Sequence, residues 1–254
     1  MGLWFEMGDP IELRRVDLNV TYPSNLFDGS RQGQIWSSAL MKIWGDLGRD
    51  VTDQLFLETH FLWGQSPSMR DAAAAFMQAD INLYDGEHLC EIVARFKEHG
   101  LIEPPTLSEI LTQNTIWDEP VFVMNSLIIP NGLTLTINSM VRCEPNVSIT
   151  VRPGGKLIVD GGTLTSACSD QMWKGIIVEG NSLLSQTAAN QGTVELKNGA
   201  VLENSVVGIT AAKGSGQLYV IRQAASSRLR KLLLEITKRQ LNSSLTCGQP
   251  AVYN

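Results

Sequence analysis

Apolar positions along this chain follow two different rhythms, and the change between them falls near residue 105. From Gly33 onward, Trp36, Leu40, Ile43, Trp44 and Leu47 recur at the spacing of one helix face. Gly45 interrupts that helix and Gly48 ends it. Asp50 is placed to cap a second helix, with Asp53 near the positive end of its dipole. This helix runs through Leu55, Phe56 and Leu62 to the break at Gly64. A third follows Pro67, takes Ser68 as its cap, and passes through Met69, Ala73, Phe76, Met77 and Tyr84. The fourth follows Gly86, turns Leu89, Ile92, Val93 and Phe96 inward, and stops at Gly100. Four amphipathic segments with short links predict a compact helical bundle.

Past Glu103-Pro104-Pro105 the helical period is gone, and Pro-Pro predicts an extended linker. Short runs of β-formers take over: Val121–Ile129, Leu133–Ile137, Val147–Val151, Lys156–Val159, Gly175–Val178, Thr193–Leu196 and Val201–Leu202. They carry a repeat. Pro130-Asn-Gly132-Leu-Thr-Leu135 aligns with Pro153-Gly-Gly155-Lys-Leu-Ile158, and both align with Asn198-Gly199-Ala-Val-Leu202. The glycines at 132, 155 and 199 give one step of about 22 residues and one of twice that. A degenerate copy at Glu179-Gly180-Asn181-Ser182-Leu183 fills the gap. A near-constant period with a turn glycine per copy predicts a parallel β-helix of about four coils and disfavours a β-sandwich. Leu133, Lys156 and Ala200 are then expected to stack on one face.

Charge divides the chain again. Residues 1–105 hold 8 basic and 16 acidic groups, residues 106–212 hold 5 and 9, and residues 213–254 hold 7 and 1. An acidic body excludes binding along nucleic-acid phosphates, and the basic tail is too short to reverse that. No apolar run reaches the roughly 18 residues that span a bilayer. In the tail, Leu229, Leu232, Leu233 and Ile236 predict one amphipathic helix over 224–241. Three readings stay open for it: a cap on the last coil, a segment for anionic membranes, or frameshifted sequence.

Chemistry-bearing residues are few. Cys90, Cys143, Cys168 and Cys247 show no CxxC spacing. Cys143 and Cys168 lie about one coil apart, which fits either a disulfide or two buried free thiols in adjacent coils. His60, His88 and His99 contain no pair four residues apart, and no HExxH occurs, so the two-histidine zinc face is missing. All three histidines read as structural or solvated. Asp71 and Asp80 are candidates for calcium, with a cap contact and a helix-end carboxylate as the ordinary alternative.

Tyr22-Pro23, Gly33-Gln34-Ile35-Trp36, Ala39-Leu40, Gly48, Asp71 and Ala79-Asp80, in that order and spacing, resemble the C-terminal lobe of fungalysin-type and thermolysin-like zinc metallopeptidases. The resemblance covers residues 12 to 100 and implies a helical wall of a substrate cleft, with the metal ligands mainly upstream. It also implies a histidine just before Gly33 that bonds the developing oxyanion. Ser30 stands there instead, and the neighbouring Arg31 reads as a solvent-exposed arginine at a helix start. The wording of 115–212 resembles right-handed β-helix stalks of large secreted bacterial surface proteins.

The expected fold is α+β multidomain. An N-terminal all-α bundle, thermolysin-like over 1–105, is followed by a linker at 106–114, a short right-handed parallel β-helix at 115–212, and the tail at 213–254. No catalytic, cofactor or metal residue is assigned in this chain. Zinc, and calcium as a second ion, are implied for a complete parent that hydrolyses peptide bonds. The expected function is a fragment of such an extracellular or cell-surface protein, inactive alone. Its alternative is a non-enzymatic adhesion module displaying the β-helix.

Overall fold

The computed structural model describes residues 16–17, 19–23, 33–103, 108–180, 184–185, 187–213 and 218–221. Ser30, Arg31, Cys247 and the helix expected over 224–241 lie outside them.

Four helices come first: α1 (Gly33–Leu47), α2 (Arg49–Leu62), α3 (Met69–Tyr84) and α4 (Leu89–Glu98). Gly48, with φ of 82°, is the single residue between α1 and α2 and acts as the N-cap of α2 without any side-chain bond. The cap expected at Asp50 is therefore corrected. So tight a connection leaves no residue outside the helix for it, and Asp50 sits in the first turn. Ser68 does cap α3. Its hydroxyl accepts the Asp71 N–H at 3.2 Å, and the Ser68 N–H donates to Asp71 Oδ2 at 2.9 Å. That reciprocal pair contributes about 1 kcal/mol.

The expected face of α1 holds except at Trp44: Ile43 lies in the core, and Trp36, Leu40 and Leu47 pack against it. Ile35, Ala39 and Ile43 are fully buried, whereas Trp44 is 43% exposed. Trp36 stays on the core flank, stacked on Phe96 with ring centroids 5.5 Å apart and edge-on to Phe76 at 6.4 Å. In α3, the small Ala72, Ala73, Ala75 and Ala79 are buried, which lets neighbouring helices approach closely. The predicted α4 stripe is buried as expected at Leu89, Ile92, Val93 and Phe96.

The second part is built from β1 (Glu109–Ile110), β2 (Thr115–Trp117), β3 (Val121–Val123), β4 (Leu127–Ile129), β5 (Thr134–Ile137), β6 (Met140–Cys143), β7 (Ser148–Val151), β8 (Lys156–Asp160), β9 (Thr163–Ser166), β10 (Gly175–Gly180), β11 (Thr193–Lys197), β12 (Val201–Leu202), β13 (Ile209–Lys213) and β14 (Leu218–Ile221). They stack into three sheets in the orders β1-β4-β7-β10-β13-β14, β11-β8-β5-β2 and β12-β9-β6-β3. Every pairing between named strands is parallel except the terminal β13–β14 pair. This topology is compatible with a parallel β-helix of four coils and the start of a fifth. The first strand lies at Glu109–Ile110, inside the range expected as linker.

Inward rows run along the solenoid. Thr115, Leu135, Leu157 and Val194 align, as do Leu127, Ile149, Ile176 and Ile209. Most are buried in one contiguous core. The expected stack of Leu133, Lys156 and Ala200 is corrected. Lys156 pairs with Thr134 and Thr193, while Val201, next to Ala200, pairs with Thr163 in another sheet. Asn198–Leu202 is thus the successor of the Gly161-Gly162 turn, not of the Gly132 turn. The degenerate copy near Glu179 is no coil either: β10 continues to Gly180, and the following excursion closes through an antiparallel bridge from Gly180 to Gln191.

Gly175 shows how tightly the coils fit. It has φ of 95°, and a Cβ there would lie 1.7 Å from the Val207 carbonyl oxygen of the next coil. Gly199, at φ 77°, faces open space. Gly175→Ala is expected to cost more than about 3 kcal/mol and Gly199→Ala about 1 kcal/mol. Urea unfolding of the two variants checks this, and equal costs would contradict the coil packing.

Candidate functional site

The chemistry-bearing residues converge where the helices lie against the solenoid. Phe122 and Met124 of the first coil pack on the helical core, and Ala167, just after β9, is buried within it. The helices therefore cover the flank formed by the β3-β6-β9 sheet and the corner beyond it. Arg142 of β6 donates from Nε to the Asp85 carbonyl at 2.6 Å. Lys97 of α4 donates to Glu144 at 2.6 Å. Gly86, with φ of 75°, is required here, since a Cβ would lie 2.7 Å from Leu89 Cδ1 and 3.0 Å from Arg142 Cδ.

A disulfide joins Cys90 of α4 to Cys168 at that corner, across 78 residues of sequence. Both readings of Cys143 and Cys168 are corrected: the two do not pair, and of the two expected buried free thiols only Cys143 is free, because Cys168 is bonded to Cys90. Cys143 lies in β6 opposite Ser166, buried and free, inside the solenoid core. Cys168 comes two residues after Ser166, past the strand end, where the chain has turned toward α4. Burial pushes the Cys143 thiol up to about 12, so it stays protonated and inert. Closing a loop as long as the Cys90–Cys168 one contributes about 4 kcal/mol in the chain-entropy account.

Beside the disulfide lies a buried acid–histidine pair. Asp80 is fully buried near the end of α3. It accepts the His88 backbone N–H at 3.0 Å and the His88 Nδ1–H at 2.8 Å. The His88 ring is edge-on to Tyr84 with centroids 4.8 Å apart. Burial pushes the Asp80 carboxyl above its ordinary range, against the opposing pull of the His88 bonds. With Nδ1 committed to Asp80, His88 presents Nε2 as an acceptor on a side chain 20% exposed. Such a ring can serve as one ligand.

The other candidates are structural. Asp71 is held below the usual carboxylate range by the Ser68 hydroxyl and N–H, as the capping box requires. His60 is exposed, donates from Nδ1 to the Phe56 carbonyl at 2.7 Å, and packs edge-on to Phe56 and Trp63. His99 is fully buried, donates from Nδ1 to the Val20 carbonyl, and accepts the Tyr22 N–H at its own carbonyl, tying 19–23 to the end of α4. Among the described residues, the group of His, Cys, Asp and Glu side chains close enough to share a metal is Cys90, Cys168 and Asp170. None of the three histidines, nor Asp71 or Asp80, belongs to it. Sequence spacing passed over Asp170 and the partner of Cys90. The one signal was the Ser-Ala-Cys-Ser-Asp break after a regular strand.

No protein-family model, curated protein or solved structure matches this chain. No helix of the described residues is long and apolar enough to cross a membrane.

Removing the Asp80 carboxylate should show its role. Asp80→Ala strands two His88 donors and is expected to cost roughly 2–4 kcal/mol, with Asp80→Asn costing less. The folded carboxyl titrates above the unfolded one. Its favourable contribution is thus complete below the unfolded value and is lost as pH rises through the folded value. Wild type should accordingly lose stability relative to Asp80→Asn across that window in urea titrations; a relative gain would contradict the dominance of burial.

Proposed function

We propose that the described portion is a non-catalytic structural module of a secreted, peptidase-like protein, in which a rigid solenoid carries a helical unit fixed to its flank. The observation that carries this reading is the Cys90–Cys168 bond, which ties the two units together at the corner of the third coil. Such bonds persist in oxidising compartments, which supports an extracellular or cell-surface setting. The continuous inward rows support the stalk role, since each coil is templated by the one before it.

A right-handed coil belongs to the same proposal, supported by the strong preference of parallel crossovers for that hand. So does the descent of the helices from a thermolysin-like lobe. Its support is that α1 opens at Gly33, Gly48 separates it from α2, and Asp71 and Asp80 lie in α3, in the order of that resemblance. In a complete parent, zinc and the peptide-cleaving groups would come from upstream of these helices, and the helical unit would wall the cleft.

Purified chain, incubated with casein and added zinc, tests the non-catalytic reading. The expected outcome is no turnover above blank. Hydrolysis that a chelator abolishes would overturn it.

A further inference from the structure

The corner that carries Cys168 is built for more than a disulfide. Between β9 and β10 the chain runs through Ala167, Cys168, an exposed stretch from Ser169 to Met172, and the fully buried Trp173. Trp173 anchors the far end, donating from Nε1 to the Glu203 carbonyl at 2.9 Å. The exposed stretch presents Asp170 back toward α4. One carboxylate oxygen of Asp170 and the sulfurs of Cys90 and Cys168 all lie within 4.8 Å of one another. A disulfide uses only the two sulfurs. Asp170 makes no hydrogen bond or ion pair with any of the described residues, so the disulfide leaves it without a role.

With the sulfurs as thiolates, the same place holds three anionic donors from two structural units. Bringing three negative charges this close is unfavourable without a cation between them. Cys90 is the second residue of α4, where the helix N-terminus favours the thiolate. Two thiolates and a carboxylate suit a borderline-soft divalent ion with a preference for four ligands.

We propose that the dithiol form of this chain, as it exists before the Cys90–Cys168 bond is made, binds one Zn2+ through Cys90 Sγ, Cys168 Sγ and Asp170, with water as the fourth ligand. Binding releases the two thiol protons. The metal then joins α4 to the third coil at the point where the disulfide later joins them, and it keeps Cys168 from pairing with another cysteine. A disulfide-bearing oxidant ends this state. The two protein thiolates give up two electrons and form the S–S bond, the oxidant takes these electrons and two protons to become two thiols, and Zn2+ leaves. The inference does not depend on the proposed function, because it concerns the junction alone.

The test uses the full chain with Cys143→Ser and Cys247→Ser, so that Cys90 and Cys168 are the only thiols. Reduced and kept anaerobic, it is titrated with Co2+ as a spectroscopic stand-in and then with Zn2+ in competition. One Co2+ per chain with a thiolate-to-cobalt charge-transfer band, displaced by Zn2+ and absent after oxidation, is the expected result. Asp170→Asn in the same background should weaken binding by about tenfold or more while still forming the disulfide. Absence of the band, or equal affinity with Asp170→Asn, would overturn the site. Circular dichroism of the reduced chain guards against a loss of fold. Should the reduced chain be unfolded without metal, metal-driven recovery of helix in the parent background and not in Asp170→Asn is the supporting outcome, and no recovery is the overturning one.

Discussion

The covalent tie between the start of α4 and the corner after β9 is the constraint around which the rest of the junction is arranged. It holds α4 at a height on the solenoid where Lys97 meets Glu144 and Arg142 meets the Asp85 carbonyl. The surface charges alone would fix little, because exposed ion pairs contribute about 0–1 kcal/mol each. The apolar contact of Ala167, Phe122 and Met124 with the helical core supplies the dry interface. Loop closure by the disulfide then limits how far the unfolded chain can separate the two parts.

Polar groups at the same junction are satisfied in a way that makes it one piece. Asp80 is desolvated but spends both oxygens on His88, so the left-handed turn through Asp85 and Gly86 is pinned from inside. That turn offers its carbonyl to Arg142 from outside. Between α1 and α4, Arg95 bridges Asp46 and Glu98, and Lys42 also bonds Glu98, whose carboxyl is held below the usual range by the Lys42 bond first. A comparable group on the solenoid, Glu195 between Lys156 and Lys197, stitches adjacent coils on their outer face.

Much of the local structure was legible in the sequence, because helix ends and stripes are set by short-range chemistry. Ser68 with Asp71 and the α4 stripe read directly. Asp50 misleads because the tight glycine link leaves no room for a cap, and Trp44 misleads because Ile35, Ala39 and Ile43 set the inward face, from which the next residue is turned by about 100°. The solenoid was visible through its turn glycines, yet β6 and β9 were not singled out. Their short runs, MVRC and TLTS, lack a dense apolar signal. The repeat alignment fails at Asn198 because the chain is lengthened at the Cys168 corner that ends the third coil and again after β10 in the fourth, so constant spacing no longer marks equivalent positions. The disulfide was the least legible feature. Cys90 and Cys168 belong to units of different period, and only tertiary docking brings them together. The same docking creates the group with Asp170.

Peptide mapping of the non-reduced chain by mass spectrometry tests the clamped architecture most directly. A linked peptide pair containing Cys90 and Cys168, with Cys143 recovered as a free thiol, is the result this account predicts. A Cys143–Cys168 linkage, or a free Cys90 in the folded and oxidised protein, would contradict it.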